Sequence, residues 1–305
     1  MTTTAMPTSA GTSLRGTIGV HAPLSFLGVY DVFSASLAAR EHEALFVSGF
    51  GFAASHYGLP DVGFIAWPDI VSFVERLRAV LPRHHLLVDM DDGYGDPAIA
   101  AHVATRLERA GASGIVLEDQ RRPRRCGHFD GKQLLPLDEY LEKLERVLAA
   151  RRDLVVVART DASDPDDILR RVEAFAAAGA DAVLVDGVRD LAFLDTLSAR
   201  LTVPLAFNQI AGGKTPPCTL TELRTRGVGL VIYSTPCLFA AQEAITATLR
   251  GLAERDGRLL TGAPHVGVSA CTAVLDANLA AGAVPAGALN GATDRRGARA
   301  AADVA

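Results

Sequence analysis

Gly114-Ile-Val-Leu-Glu118-Asp119-Gln-Arg-Arg-Pro-Arg-Arg-Cys126-Gly-His128-Phe-Asp-Gly-Lys-Gln-Leu-Leu-Pro136 is the stretch on which the reading of the fold turns. It opens as a short apolar run, Ile115 to Glu118, which reads as a buried strand because it is brief and rich in β-branched residues. Two adjacent carboxylates stand at its end, and a basic loop around Cys126 follows. A segment with helical periodicity, Leu137 to Arg151, comes next. One unit is therefore a strand, a chemically loaded loop and a helix.

The same unit recurs in both directions along the chain. Apolar runs lie at Ser25 to Tyr30, Ala44 to Ser48, Leu86 to Met90, Leu154 to Ala158, Ala182 to Asp186, Pro204 to Asn208 and Gly229 to Tyr233. Amphipathic segments between them predict helices over Ser34 to Glu41, Trp67 to Leu81, Ala98 to Ala110, Pro165 to Ala178, Leu191 to Arg200 and Leu220 to Arg226. Ala-Gly-Ala at 110–112 and again at 178–180 closes a helix with glycine before the next strand. Such alternation belongs to the α/β class, and eight repeats predict a (β/α)₈ TIM-type barrel with its active site at the C-terminal strand ends. A doubly wound open sheet competes, and it would gather polar groups at a switch point instead. The strand ends carry Tyr30 with Asp31, Ser48, Asp89 with Asp91, Glu118, Arg159 with Asp161, Asp186, Asn208, and Tyr233 with Ser234. Nearly every strand thus delivers a polar group to one end.

With 305 residues, 49% hydrophobic, 21% charged and a formal net charge of -5, the chain reads as soluble and globular. A general nucleic-acid or membrane-surface role does not fit that balance. No apolar run reaches the ~20 residues of a membrane span, and Met1 to Gly16 has neither a basic nor an apolar leader segment, so the expected location is the cytoplasm. Cys126, Cys218, Cys237 and Cys271 lie far apart without ligand spacing and read as free thiols. The domain reading is a disordered tail over 1–16, the barrel over 17–256, a C-terminal helical extension over 257–281 and a second disordered tail over 282–305. Within the later part, Cys237 to Ala253 predicts a last long helix and His265 to Ala281 a weakly amphipathic one. From Gly282 on, almost no large apolar residue is left to offset ordering entropy.

Leu86 to Asp96, Leu-Leu-Val-Asp-Met-Asp-Asp-Gly-Tyr-Gly-Asp, crowds carboxylates at a strand mouth, with Glu118 arriving from the next strand. Such carboxylates raise one another's pKa unless a cation neutralises them, and hard oxygen ligands suit Mg²⁺, with Mn²⁺ as its substitute. An acidic helix cap is the plainer alternative. An EF-hand is excluded, because Gly93 falls where a ligand should be. Cys126, flanked by Arg124, Arg125 and His128, is expected to favour the thiolate near neutral pH; an inert buried thiol is the alternative. For His128, positioning and proton transfer both remain open. Arg121, Arg122, Arg124 and Arg125 read mainly as a solvated charge run.

Ser48-Gly49-Phe50-Gly51, Gly58-Leu59-Pro60-Asp61, Asp89-Met90-Asp91-Asp92-Gly93-Tyr94-Gly95, Glu118-Asp119-Gln120, Arg125-Cys126-Gly127-His128, Ala158-Arg159-Thr160-Asp161 and Gly212-Gly213-Lys214-Thr215-Pro216 occur in that order. Together they resemble the isocitrate lyase/phosphoenolpyruvate mutase superfamily, over about Leu24 to Leu252. The resemblance implies a (β/α)₈ barrel, Mg²⁺, α-oxo acid or enolate chemistry, and homotetramers that exchange a C-terminal helix. Asp89 resembles the metal ligand, and Asp91 and Glu118 the groups holding the metal's waters. Ser48 and Gly49 resemble the backbone cradle of a substrate carboxylate, Arg159 its cationic clamp and Cys126 the acid/base of the lyase branch. Glu118 and His128 join the catalytic set; Phe50, Asp61, Gly127, Asp186 and Asn208 join the substrate-binding set.

Three positions depart from the tricarboxylate lyases. Phe46 stands in place of a tyrosine, Asp186 in place of a glutamate, and Ala211 in place of a glutamate before Gly-Gly. The resulting expectation is a Mg²⁺-dependent carbon-carbon lyase that cleaves a small 2-hydroxy dicarboxylate to an α-oxo acid and a second carboxylic acid. A carboxyphosphonoenolpyruvate-type mutase, an oxaloacetate-type hydrolase or decarboxylase, and a barrel that binds an oxo acid without turning it over are the alternatives.

Overall fold

A computed structural model describes residues 9–18, 23–261 and 265–282. Strands β1 (Leu24–Val29), β2 (Ala44–Val47), β3 (His85–Asp89), β4 (Gly114–Glu118), β5 (Val155–Thr160), β6 (Ala182–Val185), β7 (Leu205–Gln209) and β8 (Val228–Tyr233) close into a parallel barrel in sequence order. The helices are α1 (Ala10–Thr17), α2 (Val32–Ala38), α3 (Gly49–Phe52), α4 (Trp67–Val80), α5 (Pro97–Ala110), α6 (Leu137–Ala150), α7 (Pro165–Ala177), α8 (Ala192–Arg200), α9 (Leu220–Thr225), α10 (Pro236–Glu254) and α11 (Val268–Gly282). The (β/α)₈ expectation therefore holds, and the open sheet is excluded.

The strands are buried on both faces, which is why they read as apolar runs and not as alternating ones. Alternate residues nevertheless part into two cores. Phe26, Phe46, Leu87, Val116, Val157, Leu184 and Ile232 fill the barrel, while Leu45, Val47, Val88, Leu117, Val156 and Val183 face the helices. Helix boundaries follow local chemistry. Asp96 and Asp164 accept from the first-turn amides of α5 and α7, each of which has proline at its start. Gly111 and Gly179 stand at φ 98° and 100° just past those helices, the left-handed geometry that the Ala-Gly-Ala repeats imply.

The first sixteen residues are not all a disordered tail. Helix α1 carries Leu14 into the barrel-filling cluster, where it is fully buried. Its Arg15 pairs with Asp153 (3.0 Å) and Asp181 (2.8 Å), and the Thr12 amide donates to Asp153 (2.7 Å). One large apolar residue among Ser, Thr and Gly leaves no amphipathic period to read, so tertiary contacts decide this helix. Residues 1–8 and 283–305, the rest of the two expected tails, lie outside the described residues.

At the other end, α11 packs on α2 and α4, with Val274 buried and Asn278 donating to Ser36 Oγ at 2.8 Å. In contrast, α10 leaves Ile245 and Leu249 59% and 62% exposed. Among the described residues, no helix is long and apolar enough to cross a membrane.

Candidate active site

The C-terminal mouth of the barrel is built from the ends of β2 to β8. After β2, Ser48 caps α3 by accepting from the Gly51 amide (3.1 Å), which turns the Gly49 amide toward Asp89 Oδ2 (3.3 Å). A Cβ at Gly49 would lie 2.9 Å from that oxygen and 3.1 Å from Asp91 Oδ1, so only glycine brings the backbone this close. Asp89 Oδ1 accepts from the Asp91 amide (3.2 Å), and Asp91 itself adopts φ 50°.

Two buried guanidiniums lie among these carboxylates. Arg159, at the end of β5, reaches Asp186 at 2.8 Å, Asp161 at 3.0 Å and Glu118 at 3.3 Å. Arg124 donates to Glu118 (2.7 Å), pairs with Asp61 and lies 3.2 Å from Asp91. Its burial makes Arg124 the exception in an arginine run read as mainly solvated, with only some members facing the site. The available signal was charge balance, because Asp61, Asp89, Asp91, Glu118, Asp161 and Asp186 at one barrel mouth exceed what Arg159 alone can neutralise.

These acids keep unmet demand for positive charge. Burial raises the pKa of Asp89 and lifts Asp91 well above the carboxylate range, while Arg124 pulls both back. Glu118 is pushed up to about 7 by burial, against the pull of Arg124 and Arg159. Both Asp91 oxygens are buried without a hydrogen bond. Among the described residues, no three acidic, histidine or cysteine side chains form a ready metal cage. Mg²⁺ does not require one, since it keeps several waters and takes one or two carboxylates directly. Asp89 as the ligand, with Asp91 and Glu118 behind it, fits that preference.

Over the mouth folds the loop between β4 and α6, zipped at its base by Arg121 N–H to Gln133 O (2.7 Å) and Leu135 N–H to Asp119 O (2.9 Å). The Gln120 side chain clamps the loop at both the amide and the carbonyl of Arg125 (2.9 and 2.8 Å). A Cβ on Gly127 would fall 1.9 Å from Asp186 Oδ2, so this backbone rests directly on the carboxylates. His128 Nδ1 accepts from the Lys214 amide (2.9 Å), which leaves the proton of a neutral ring on Nε2, 3.5 Å from Asp186. Asn208 donates to Asp186 (2.9 Å) and accepts from Ser234 Oγ (2.7 Å). Although burial opposes it, the charge of Arg159, aided by His128 and Asn208, holds Asp186 below the usual carboxylate range.

Beneath the loop remains a cavity of ≈ 30 Å³, room for little more than a water. Ser48, Phe50, Asp61, Asp89, Cys126, Gly127, His128, Arg159, Asp186 and Asn208 all line it, so most of the expected site residues meet there. Glu118 does not face the cavity; it lies behind, bracing both guanidiniums. Ala211 is exposed, and Ile210 lines the wall with Phe46, Val116, Leu184 and Ile232. The sequence reading passed over Ile210, which sits one residue from Ala211 and carries no motif of its own, and it named Ser234 as a strand-end residue without a role.

Cys126 reverses its expectation. Burial pushes its thiol up to about 11; the nearby Asp61 and Asp186 add to the rise, while the His128 amide and Arg159 oppose it. Arg124, the supposed activator, is committed to carboxylates. A thiol that keeps its proton at neutral pH suits an acid that gives one up. Iodoacetamide should therefore label Cys126 more slowly near neutral pH than a free thiol of ordinary pKa, and the rate should climb with pH toward about 11. Labelling that saturates near pH 7 would restore the thiolate.

The phosphoenolpyruvate phosphomutase family model matches residues 18–253. The chain is 36% identical over 227 residues to 2-methylisocitrate lyase of Bacillus subtilis (strain 168), covering 72% of this chain and 74% of that protein. It superposes on 2,3-dimethylmalate lyase with a TM-score of 0.84 and 29% identity, covering 94% of this chain and 99% of that one. For oxaloacetate acetylhydrolase bound to 3,3-difluorooxalacetate the TM-score is 0.82 and the identity 30%, with coverage of 88% and 93%.

Proposed function

The chain belongs to the phosphoenolpyruvate phosphomutase family, an enzyme of the isocitrate lyase/phosphoenolpyruvate mutase superfamily, and we propose that it is a Mg²⁺-dependent lyase of small 2-hydroxy dicarboxylates. The observation that carries this reading is the cavity's mixed lining. Asp61, Asp89, Asp186 and Arg159 give it charge, and Phe46, Val116, Leu184, Ile210 and Ile232 line the same small space.

Substrate carboxylate lies beside Ser48 and is clamped by Arg159. Asp89 would hold Mg²⁺, with Asp91 and Glu118 behind it, and the metal would supply Lewis-acid polarisation of a substrate oxygen. Asp61, which faces the cavity, accepts the hydroxyl proton. The O–H electron pair forms the carbonyl of the α-oxo acid, the C2–C3 bond breaks, and its pair moves onto C3. Cys126 delivers its S–H proton to that carbon, and proton return from Asp61 through solvent resets the thiol. Asp186 and Asn208 orient the departing half. His128 holds the lid against Asp186.

A third carboxylate against the apolar wall would lose its hydrogen bonds, at a cost of roughly 1–3 kcal/mol. Specificity on this account rests on Phe46 and Ile210, not on the exposed Ala211. Kinetics on 2,3-dimethylmalate, malate, 2-methylisocitrate and isocitrate test it: the best dicarboxylate should exceed both tricarboxylates by about ten-fold or more in kcat/KM. A tricarboxylate equal to it would sink the reading. Ser234, whose hydroxyl stands at the wall beside Asn208, favours a second reading, hydrolytic cleavage of oxaloacetate; oxalate and acetate as products would select it. The exposed apolar residues of α10 support a homotetramer with exchanged C-terminal helices.

A further inference from the structure

We infer that Lys132 is the positioning residue that latches the Cys126 loop shut. Its side chain is only 10% exposed, and the ammonium donates to two partners at once, the Gly127 carbonyl (2.5 Å) and Asp161 Oδ1 (2.8 Å). The first partner lies on the loop, next to Cys126. The second belongs to the barrel at the end of β5, where Asp161 also takes Arg159 Nε at 3.0 Å and Gln120 Nε2 at 3.1 Å.

Among the described residues, no large apolar side chain anchors the loop tip. Phe129, the large hydrophobic residue at the loop tip, is 63% exposed, so burial does not hold the tip down. The loop is instead tied by polar contacts: Arg124 on its carboxylates, Gln120 on the Arg125 backbone, and Lys214 on His128, Phe129 O (3.2 Å) and Asp130 (2.6 Å). Segments held this way open at low cost compared with the core. Of these ties, Lys132 alone bridges the Gly127 carbonyl to a barrel strand, and Gly127 is the residue whose backbone presses on Asp186 and Arg159. Releasing it lets the peptide that carries the thiol lift from the cavity. Closure and the substrate clamp are also joined, because Lys132 and Arg159 share Asp161.

The inference rests on Cys126 lying over the cavity and not on which acid is cleaved, so its test reads the thiol directly. In full-length protein, iodoacetamide labelling of Cys126 is followed by peptide mass spectrometry in wild type, Lys132→Met and Lys132→Arg. Lys132→Met should label at least about ten-fold faster at Cys126 alone, while Cys218, Cys237 and Cys271 keep their rates and Tm barely moves. Lys132→Arg, which retains a donor of similar reach, should stay near the wild-type rate. On the best substrate, Lys132→Met should lose kcat far more than it raises KM. Unchanged Cys126 labelling in Lys132→Met overturns the latch. So does faster labelling of all four cysteines together with a large fall in Tm, since that would show a general structural role.

Discussion

Asp89→Ala is expected to reduce kcat/KM by three decades or more and to remove the thermal stabilisation expected of Mg²⁺ in the wild type. Lewis-acid polarisation contributes several kcal/mol at about 1.4 kcal/mol per decade, and Asp89 is the carboxylate that both faces the cavity and is aimed by two backbone amides. A ligand at one hundred times its Kd adds about 2.7 kcal/mol of stability, which a thermal shift reads easily. The effect should depend on pH with a definite sign. Without metal, the raised pKa values of Asp89, Asp91 and Glu118 mean that the folded protein holds protons the unfolded chain would release. Stability from these groups therefore falls as pH rises from the ordinary carboxylate range through about 7, the value for Glu118. Mg²⁺ replaces those protons, so its stabilisation should be larger near pH 8 than near pH 5. An Asp89→Ala variant that keeps both turnover and the Mg²⁺ shift would remove the metal from this position.

Arg159 should show the second large effect, divided between stability and turnover. Arg159→Met leaves Glu118, Asp161 and Asp186 buried around an apolar side chain, and breaking a buried pair in this way costs about 3–5 kcal/mol. Its Tm should fall sharply and its activity should vanish. Arg159→Lys keeps one charge but loses the planar fork, so most of the stability should return while kcat/KM stays about a hundred-fold or more below wild type. Thermal unfolding and steady-state kinetics on both variants check this. Full activity in Arg159→Lys would show that bidentate clamping plays no part.

Much of the architecture was legible because the barrel writes itself locally. Val155-Val156-Val157 can be little but a buried strand, and glycine after α5 and α7 marks the turn back toward the sheet. Strand ends were legible too, since polar residues such as Asp89, Glu118 and Arg159 interrupt apolar runs at fixed places. What escaped depends on where a loop lands. Arg124 looks like Arg121 and Arg125 in sequence, yet only the folded loop decides which of them meets Asp61 and Glu118. The acidity of Cys126 was read from its neighbours in the chain, whereas its neighbours in space include Asp61 and Asp186. Ala211 and Ile210 exchanged roles because a shift of one residue in a loop turns a side chain from wall to solvent. Leu14 was missed because a single apolar residue has no period.

The central claim is tested most directly by following α-oxo acid release from 2,3-dimethylmalate by wild-type protein, in Mg²⁺ and in excess EDTA. The account predicts steady release of pyruvate with propionate in Mg²⁺, none above background in EDTA, and full recovery when Mg²⁺ is restored. Undiminished release in EDTA, or no carbon-carbon cleavage of this or any 2-hydroxy dicarboxylate in Mg²⁺, would contradict it.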